Sequence, residues 1–318
     1  MKIFLSLVGF VVLFLSAANS PAQEKLKYGS AIKFSPQYYL PVLAAQEKGI
    51  FKRNGLDVEW FPSQSGSDLQ RALAASAIKI ASSSAGADIL AIARGVPGVI
   101  VASLQPSDDF ALWVASQSRF RKPQDLKGAK LGVSRLGGLE HAYGQLVTKQ
   151  LGLGKDAQFI STGGIKESLA VLVTGGIDGV VLTPGQMINL KLQGKVRDLL
   201  QVENYLPKPW AAYTIVARKD FVEKEPDTAR RIVKSILEAN RLVMSKEERP
   251  WVLAKMKEVS NYSDEAAQAI YGKLAFSTNG RLERKAMENL ANFMVEYGLM
   301  KAEEVPSMAT VFTDQFIR

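Results

Sequence analysis

From residue 26 onward, short β-rich runs end in small polar loops that open onto helical stretches, and the same unit starts again at residue 130. That alternation is the signature of an α/β chain built on largely parallel sheets, and it constrains the fold more than any other feature. In the first series, strands are expected over 26–31, 58–61, 78–81 and 99–103. Ser35 with Pro36 starts the first helix and Gly49 stops it, while Ser67, Asp68, Leu69 and Gln70 form a capping box for the second. The second series follows a strand-like run at 111–116, with strands over 130–133, 158–161 and 179–182. Leu139, Tyr143, Leu146, Val147 and Leu151 recur at helical spacing, and Thr183, Pro184, Gly185 and Gln186 form another capping box. One more strand, 213–217, is followed only by helical patterns. This order suits a chain that builds one lobe, crosses to build a second, and returns to clad the first.

The N-terminus speaks to compartment. Met1 and Lys2 precede an apolar run over 3–15, too short to span a bilayer comfortably, and Ser20, Pro21 and Ala22 supply a small-residue exit. A cleavable signal peptide over 1–22 is expected, placing the mature chain in the periplasm. The division then reads 23–113 for the first part of lobe one, 114–212 for lobe two and 213–318 for the return to lobe one. No cysteine occurs, which removes lipid attachment, thiolate metal sites and a cysteine nucleophile. A mature chain of this size needs no disulfides to hold a core. The net charge of +9 comes from basic residues dispersed among acids, not gathered into a stripe interleaved with aromatics, so nucleic acid is not an expected partner.

Chemical motifs are scarce. His141 is the only histidine and sits beside Glu140 without further ligands at workable spacing, so no metal is expected and the helix surface or cleft rim is its place. Gly152, Gly154 and Ala157 satisfy a dinucleotide fingerprint on paper but follow a helix, not a strand, and are set aside. No serine elbow, paired-histidine zinc motif or phosphate loop appears. Neither an enzyme nor a cofactor is expected.

Several blocks, in order, resemble one family: LPVLAAQEKGIFKRNGLDVEWF over 40–61, SGSDLQRALAA over 65–75, DLKGAKLGV over 125–133, LVTGGIDGVVLTP over 172–184 and YTIVARKDFVEKEP over 213–226. They are similar to the nitrate, sulfonate, bicarbonate and thiamine-precursor group of periplasmic binding proteins that serve ABC importers. The resemblance implies a type II periplasmic-binding-protein fold: two α/β lobes joined by two crossing segments, near Val114 to Gln117 and Ala211 to Tyr213, with the ligand in the cleft. It also implies a monomer whose partners are a small ligand and the importer's permease and ATPase subunits. Fungal relatives that make the thiamine pyrimidine depend on a cysteine-containing segment, which this chain lacks. A membrane sensor in place of the importer is a further reading that the residues do not separate.

In an open α/β sheet, ligands sit beyond the carboxyl ends of strands, where helix N-termini offer unpaired N–H groups. Candidate ligand contacts are therefore Ser65, Gly66 and Ser67, then Ser83 and Ser84, then Ser134, Arg135, Gly137 and Gly138, and finally Thr183. Residues 162–164 form a weaker candidate. Ser67 and Thr183 are equally explained as helix caps, and Gly137 and Gly138 as a turn. Arg135 is the sharpest candidate, because a guanidinium in such a loop can grip a carboxylate, sulfonate or nitrate through two bonds. Phe34, Tyr38 and Tyr213 are expected to wall the cleft, although core packing competes for these aromatics.

Overall fold

The computed structural model describes residues 24–317, so the expected signal peptide lies outside them. The first half runs β1 (Glu24–Ser30), α1 (Pro36–Glu47), the single turn α2 (Ile50–Arg53), β2 (Leu56–Pro62), α3 (Gly66–Ala74), β3 (Ile80–Ser84), α4 (Ala85–Ala93) and β4 (Gly98–Gln105). The second half runs β5 (Ala111–Ala115), β6 (Lys130–Val133), α5 (Leu139–Gln150), β7 (Gln158–Ser161), α6 (Ile165–Val173), β8 (Gly179–Leu182), α7 (Pro184–Leu192) and β9 (Val196–Gln201). The return brings β10 (Tyr213–Arg218), then α8 (Lys219–Lys224), α9 (Pro226–Val243), α10 (Arg249–Ser260), α11 (Asp264–Tyr271), α12 (Arg284–Glu296) and α13 (Met308–Val311).

Two five-stranded sheets result, ordered β2-β1-β3-β10-β4 and β7-β6-β8-β5-β9. Each has a parallel trio, and in each the fourth place is held by an antiparallel strand adjoining a crossing segment. β10 fills it in the first lobe and β5 in the second. This is the two-lobed α/β architecture expected for a type II periplasmic-binding-protein fold.

The crossing points need correction. Residues 111–115 pair with β8 and β9, through Ala111 with Leu182 and Leu112 with Leu200, so the first crossing occupies 106–110 and not the stretch near Val114 to Gln117. The return occupies 202–212, ahead of β10. Long-range pairing decides which sheet a strand joins, and an apolar run such as Ala-Leu-Trp-Val-Ala carries no local mark of it.

Period-two alternation then sorts β5 between two packing layers. Leu112 and Val114 join the main core with Tyr143 and Leu146, whereas Ala111 and Trp113 join a separate cluster with Leu172 and Met187. Sealing side chains of this size contributes about 1.5–3 kcal/mol each. The Trp113 indole N–H donates to the Leu182 carbonyl at 2.9 Å, so burying the ring strands no donor. Helices α1 and α9 pack together over the first sheet, while α11 reaches across to α7, where the Tyr262 hydroxyl donates to the Gly185 carbonyl at 3.0 Å.

Candidate ligand-binding site

A cavity of about 450 Å³ opens between the lobes, lined from both of them and from both crossing segments. Its volume is that of a small-molecule site, for which roughly 300–1,000 Å³ is usual. The first lobe contributes the turn after β1 at Ala31 and Ile32, the first turn of α3 at Ser65, Gly66 and Ser67, and the β3 to α4 junction at Ser84, Gly86 and Ala87. Tyr38 rises from α1 to complete that wall.

Local chemistry explains this wall. Ser65 caps α3, its hydroxyl accepting from the Asp68 N–H at 3.1 Å and donating to the Asp68 carboxylate at 2.8 Å. The cap therefore stands two residues ahead of the Ser67 expected from the Ser-x-x-Gln spacing, which leaves Ser67 exposed at the cavity and Gln70 free for another task. Gln70 donates to the Asp88 carboxylate at 2.7 Å and to the Ser83 hydroxyl at 3.3 Å. Thr214 of β10 donates to the other Asp88 oxygen at 2.6 Å, so a buried network ties α3, β3, α4 and β10 together behind the cavity.

Crossing residues form the floor. Asp108, only 6% exposed, lines the cavity and accepts from the Tyr143 hydroxyl of α5 and from the backbone N–H of Asp109 at 2.9 Å. Asp109 faces the first lobe, accepting from Gln37 at 2.6 Å and from the Tyr213 hydroxyl at 2.8 Å. The Tyr213 ring meets Tyr38 edge to face, with centroids 5.3 Å apart. Burial pushes the carboxyl groups of Asp88 and Asp109 up to about 7, with the neighbouring Asp108 adding to the shift of Asp109, and burial raises Asp108 as well. Burial also raises the Tyr38 hydroxyl, and Asp108, Asp109 and Asp88 add to that shift. Among the described residues, none of the three aspartates has an ion-pair partner.

The second lobe supplies Ser134 and Arg135 from the loop after β6, Leu139, Glu140 and Tyr143 from α5, and Ile165 at the start of α6. The Ser134 hydroxyl donates to the Glu140 carboxylate at 3.2 Å. Arg135 is exposed and makes no ion pair or side-chain hydrogen bond among the described residues.

Of the contacts expected from sequence, Tyr38, Ser65, Gly66, Ser67, Ser84, Ser134, Arg135 and Tyr213 line this one cavity, and five residues do not. Phe34 is 53% exposed, outside the cavity lining, in a turn closed by the Ser35 N–H on the Ile32 carbonyl, with Lys33 over its ring. Ser83 lies inside β3, not in a loop, sealed between β1 and β10 with its hydroxyl accepting from the Gln70 amide. Gly137, at φ 74°, donates its N–H to His141 Nδ1 at 3.1 Å, and Gly138 is buried as the α5 cap; both shape the Arg135 loop from behind. Thr183 starts α7 beneath α11, its N–H taken by the Gln186 side chain at 2.9 Å. The loop 162–164 is occupied by its own bonds, with Thr162 on the Val133 carbonyl and Ser168 on the Gly164 carbonyl. His141 packs edge-on against Phe159, and burial lowers its basicity.

Sequence reasoning missed the aspartates. A signal was present: Asp108 and Asp109 form an acidic pair immediately before an apolar strand, and Asp88 interrupts the apolar run AGADILAIA.

A family profile described as "NMT1/THI5 like" matches residues 37–249. A Haemophilus influenzae protein named for thiamine biosynthesis is 25% identical over 312 residues, covering 94% of this chain and 96% of its own. The taurine-binding periplasmic protein of Escherichia coli is 28% identical over 207 residues, covering 63% of this chain and 62% of its own. Among solved structures, the periplasmic aliphatic sulphonate binding protein of Escherichia coli superposes with a TM-score of 0.78 at 17% identity, covering 93% of this chain and 94% of that one. That likeness speaks to the fold.

Proposed function

The chain belongs to the NMT1/THI5-like family, and we propose that it is an extracytoplasmic solute-binding protein that captures a small organic solute between its lobes and hands it to an ABC importer. The observation that carries this reading is the cavity: loops after β1, β3 and β6 and the first turns of α3, α4 and α5 meet around one gap together with both crossing segments. A solute there becomes part of the joint, so binding favours the closed arrangement of the lobes, which is the form an importer recognises. The polar wall residues orient the solute, while Tyr38, Phe110, Tyr143 and Tyr213 bury its remainder. Export through the 1–22 segment places the mature chain in the periplasm, as for the taurine- and sulphonate-binding relatives.

No catalytic step is required by this arrangement, and the fungal synthase reading is disfavoured by the missing cysteine. A thermal-shift screen of sulfonates, nitrate, aromatic carboxylates and pyrimidines tests the proposal. A true solute at a hundred times its dissociation constant adds about 2.7 kcal/mol of stability. A screen in which no member raises the melting temperature counts against the reading. Purified permease and ATPase should then take up the hit only in the presence of this protein.

A further inference from the structure

Two exposed apolar side chains occupy matching places in the two lobes. β1 and β6 hold the same position in their sheets, and the loops that follow them, 31–35 and 134–138, are of equal length and lead into helices of 12 residues each, α1 and α5. In each loop a β-turn lifts one large apolar residue into water. Phe34, 53% exposed, stands in the turn closed by the Ser35 N–H on the Ile32 carbonyl at 3.0 Å, and Leu136, 56% exposed, in the turn closed by the Gly138 N–H on the Arg135 carbonyl at 3.3 Å. They are the two most exposed large apolar side chains among the described residues. Val173, Leu192 and Met244, the next in exposure, stand at or just beyond the ends of α6, α7 and α9 and are not paired in this way. Neither Phe34 nor Leu136 lines the cavity, but Ile32, Ser134 and Arg135 of the same loops do, so the two side chains flank the gap, one from each lobe. Both turns are held: the Phe34 carbonyl accepts from the Ser260 hydroxyl at 2.7 Å, and the Gly137 N–H donates to His141 Nδ1 at 3.1 Å. A single exposed leucine needs no explanation, whereas two such residues in equivalent turns beside one gap do.

We infer that Phe34 and Leu136 are docking knobs for the importer's membrane subunits, and that this partner presents two like apolar sockets related by a two-fold axis, one to each lobe. This rests on the importer reading and goes beyond it by naming the surface and the symmetry of what it meets. A feature repeated on two lobes is matched most simply by a feature repeated on the partner, and a two-fold pair of subunits offers the same pocket twice. Lys33, its ammonium 5.4 Å from the Phe34 ring centroid, suits an acidic edge on the socket of the first lobe. Each lobe carries one knob, so hinge motion sets their spacing, and the arrangement that holds solute is the one that fits both sockets at once. Sealing a side chain of either size in a socket is worth roughly tenfold in affinity.

Docking is measured on nanodiscs carrying the permease and ATPase, with the protein saturated by the tightest compound of the thermal-shift panel. Phe34→Ala and Leu136→Ala should each weaken docking by about fivefold or more, and the double variant by at least about twentyfold, while affinity for that compound stays within twofold. Val173→Ala, Leu192→Ala and Met244→Ala, which trim exposed apolar side chains elsewhere, should dock as the parent does. All five positions are exposed, and circular dichroism verifies that the variants fold. Docking unchanged by either knob substitution overturns the inference and leaves the importer reading standing, and a loss from one knob alone removes the two-fold partner. A fall in solute affinity would make the two side chains a lid over the gap, and a loss confined to self-association in sedimentation would make them a contact between two copies; each overturns the inference. Equal retention on empty nanodiscs assigns the knobs to lipid and overturns it as well. If the loaded parent protein does not dock at all, the importer reading and the inference fall together.

Discussion

The cavity wall from the first lobe is locked, whereas the wall from the second is loosely held. Behind Tyr38 and Ser84, the side chains of Gln70, Ser83, Asp88 and Thr214 are hydrogen-bonded in a buried network that joins four elements. Across the gap, Arg135 has no ion-pair or side-chain hydrogen-bond partner among the described residues, and Leu136 beside it is 56% exposed. Both walls come from the same strand, loop and helix unit, so the contrast lies in what the loops touch. The first wall is thus a platform tied by side chains to the elements behind it, and under the proposed binding reading the second is an arm whose exposed Arg135 can take a solute as partner.

The largest expected effect is on packing beneath the two walls. A side chain at Gly29 of β1 would place its Cβ 2.5 Å from Ile78 Cδ1, 2.7 Å from Leu69 Cδ1 and 3.0 Å from Ala81 Cβ. At Gly132 of β6 the severe contact is with one flexible tip, Ile177 Cδ1 at 2.3 Å. Gly29→Val is expected to lose about 3 kcal/mol by denaturant unfolding and Gly132→Val about 1–2 kcal/mol. Equal losses would break the contrast between a rigid and a yielding lobe.

Titration sharpens it next. A carboxyl near 7 when folded, such as Asp88, against about 3.9 when unfolded binds its proton more tightly in the folded state. Its stabilising contribution is therefore complete below about pH 4 and is lost as pH rises through 7. Stability should be greater at pH 5 than at pH 8, with Asp88 alone contributing on the order of 2 kcal/mol, and Asp88→Asn should remove that share while Asp108 and Asp109 keep the rest. A stability that climbs steadily from pH 5 to 8 would contradict a platform with buried, unpaired acids.

On the arm, Arg135→Ala should weaken a solute with an anionic end at least tenfold, about 1.4 kcal/mol, while the unliganded melting temperature stays put. Unchanged affinity would remove Arg135 from the site. Ser65→Ala on the platform should show the reverse emphasis, costing about 1 kcal/mol of stability through the lost cap. Smallest of all, Phe34→Ala should leave affinity within twofold, because that exposed ring does not line the cavity.

Much of the fold was legible because period-two and period-3.6 patterns are local. The strand and helix series, the return at Tyr213 and the loops at 65–67 and 134–135 all followed from them. What was misread depends on partners distant in sequence. Serine favours turns, so Ser82 and Ser83 read as a loop, yet β3 lies between β1 and β10, where Ser82 meets the Tyr28 hydroxyl at 2.8 Å. Asp88, Asp108 and Asp109 were passed over, since nothing adjacent announces that Gln70 and Thr214 will bond the first and tyrosines from α5 and β10 the other two. Thr183 was recognised as a helix start, but only the assembled chain shows α11 lying across it.

The most direct measurement is a crystal structure of the protein with the tightest solute from the screen. The solute is expected in the gap, touching Ser65 or Ser84 on one side and Ser134 or Arg135 on the other. A solute bound to one lobe alone, or outside this cavity altogether, would contradict the claim that the two walls form a single site.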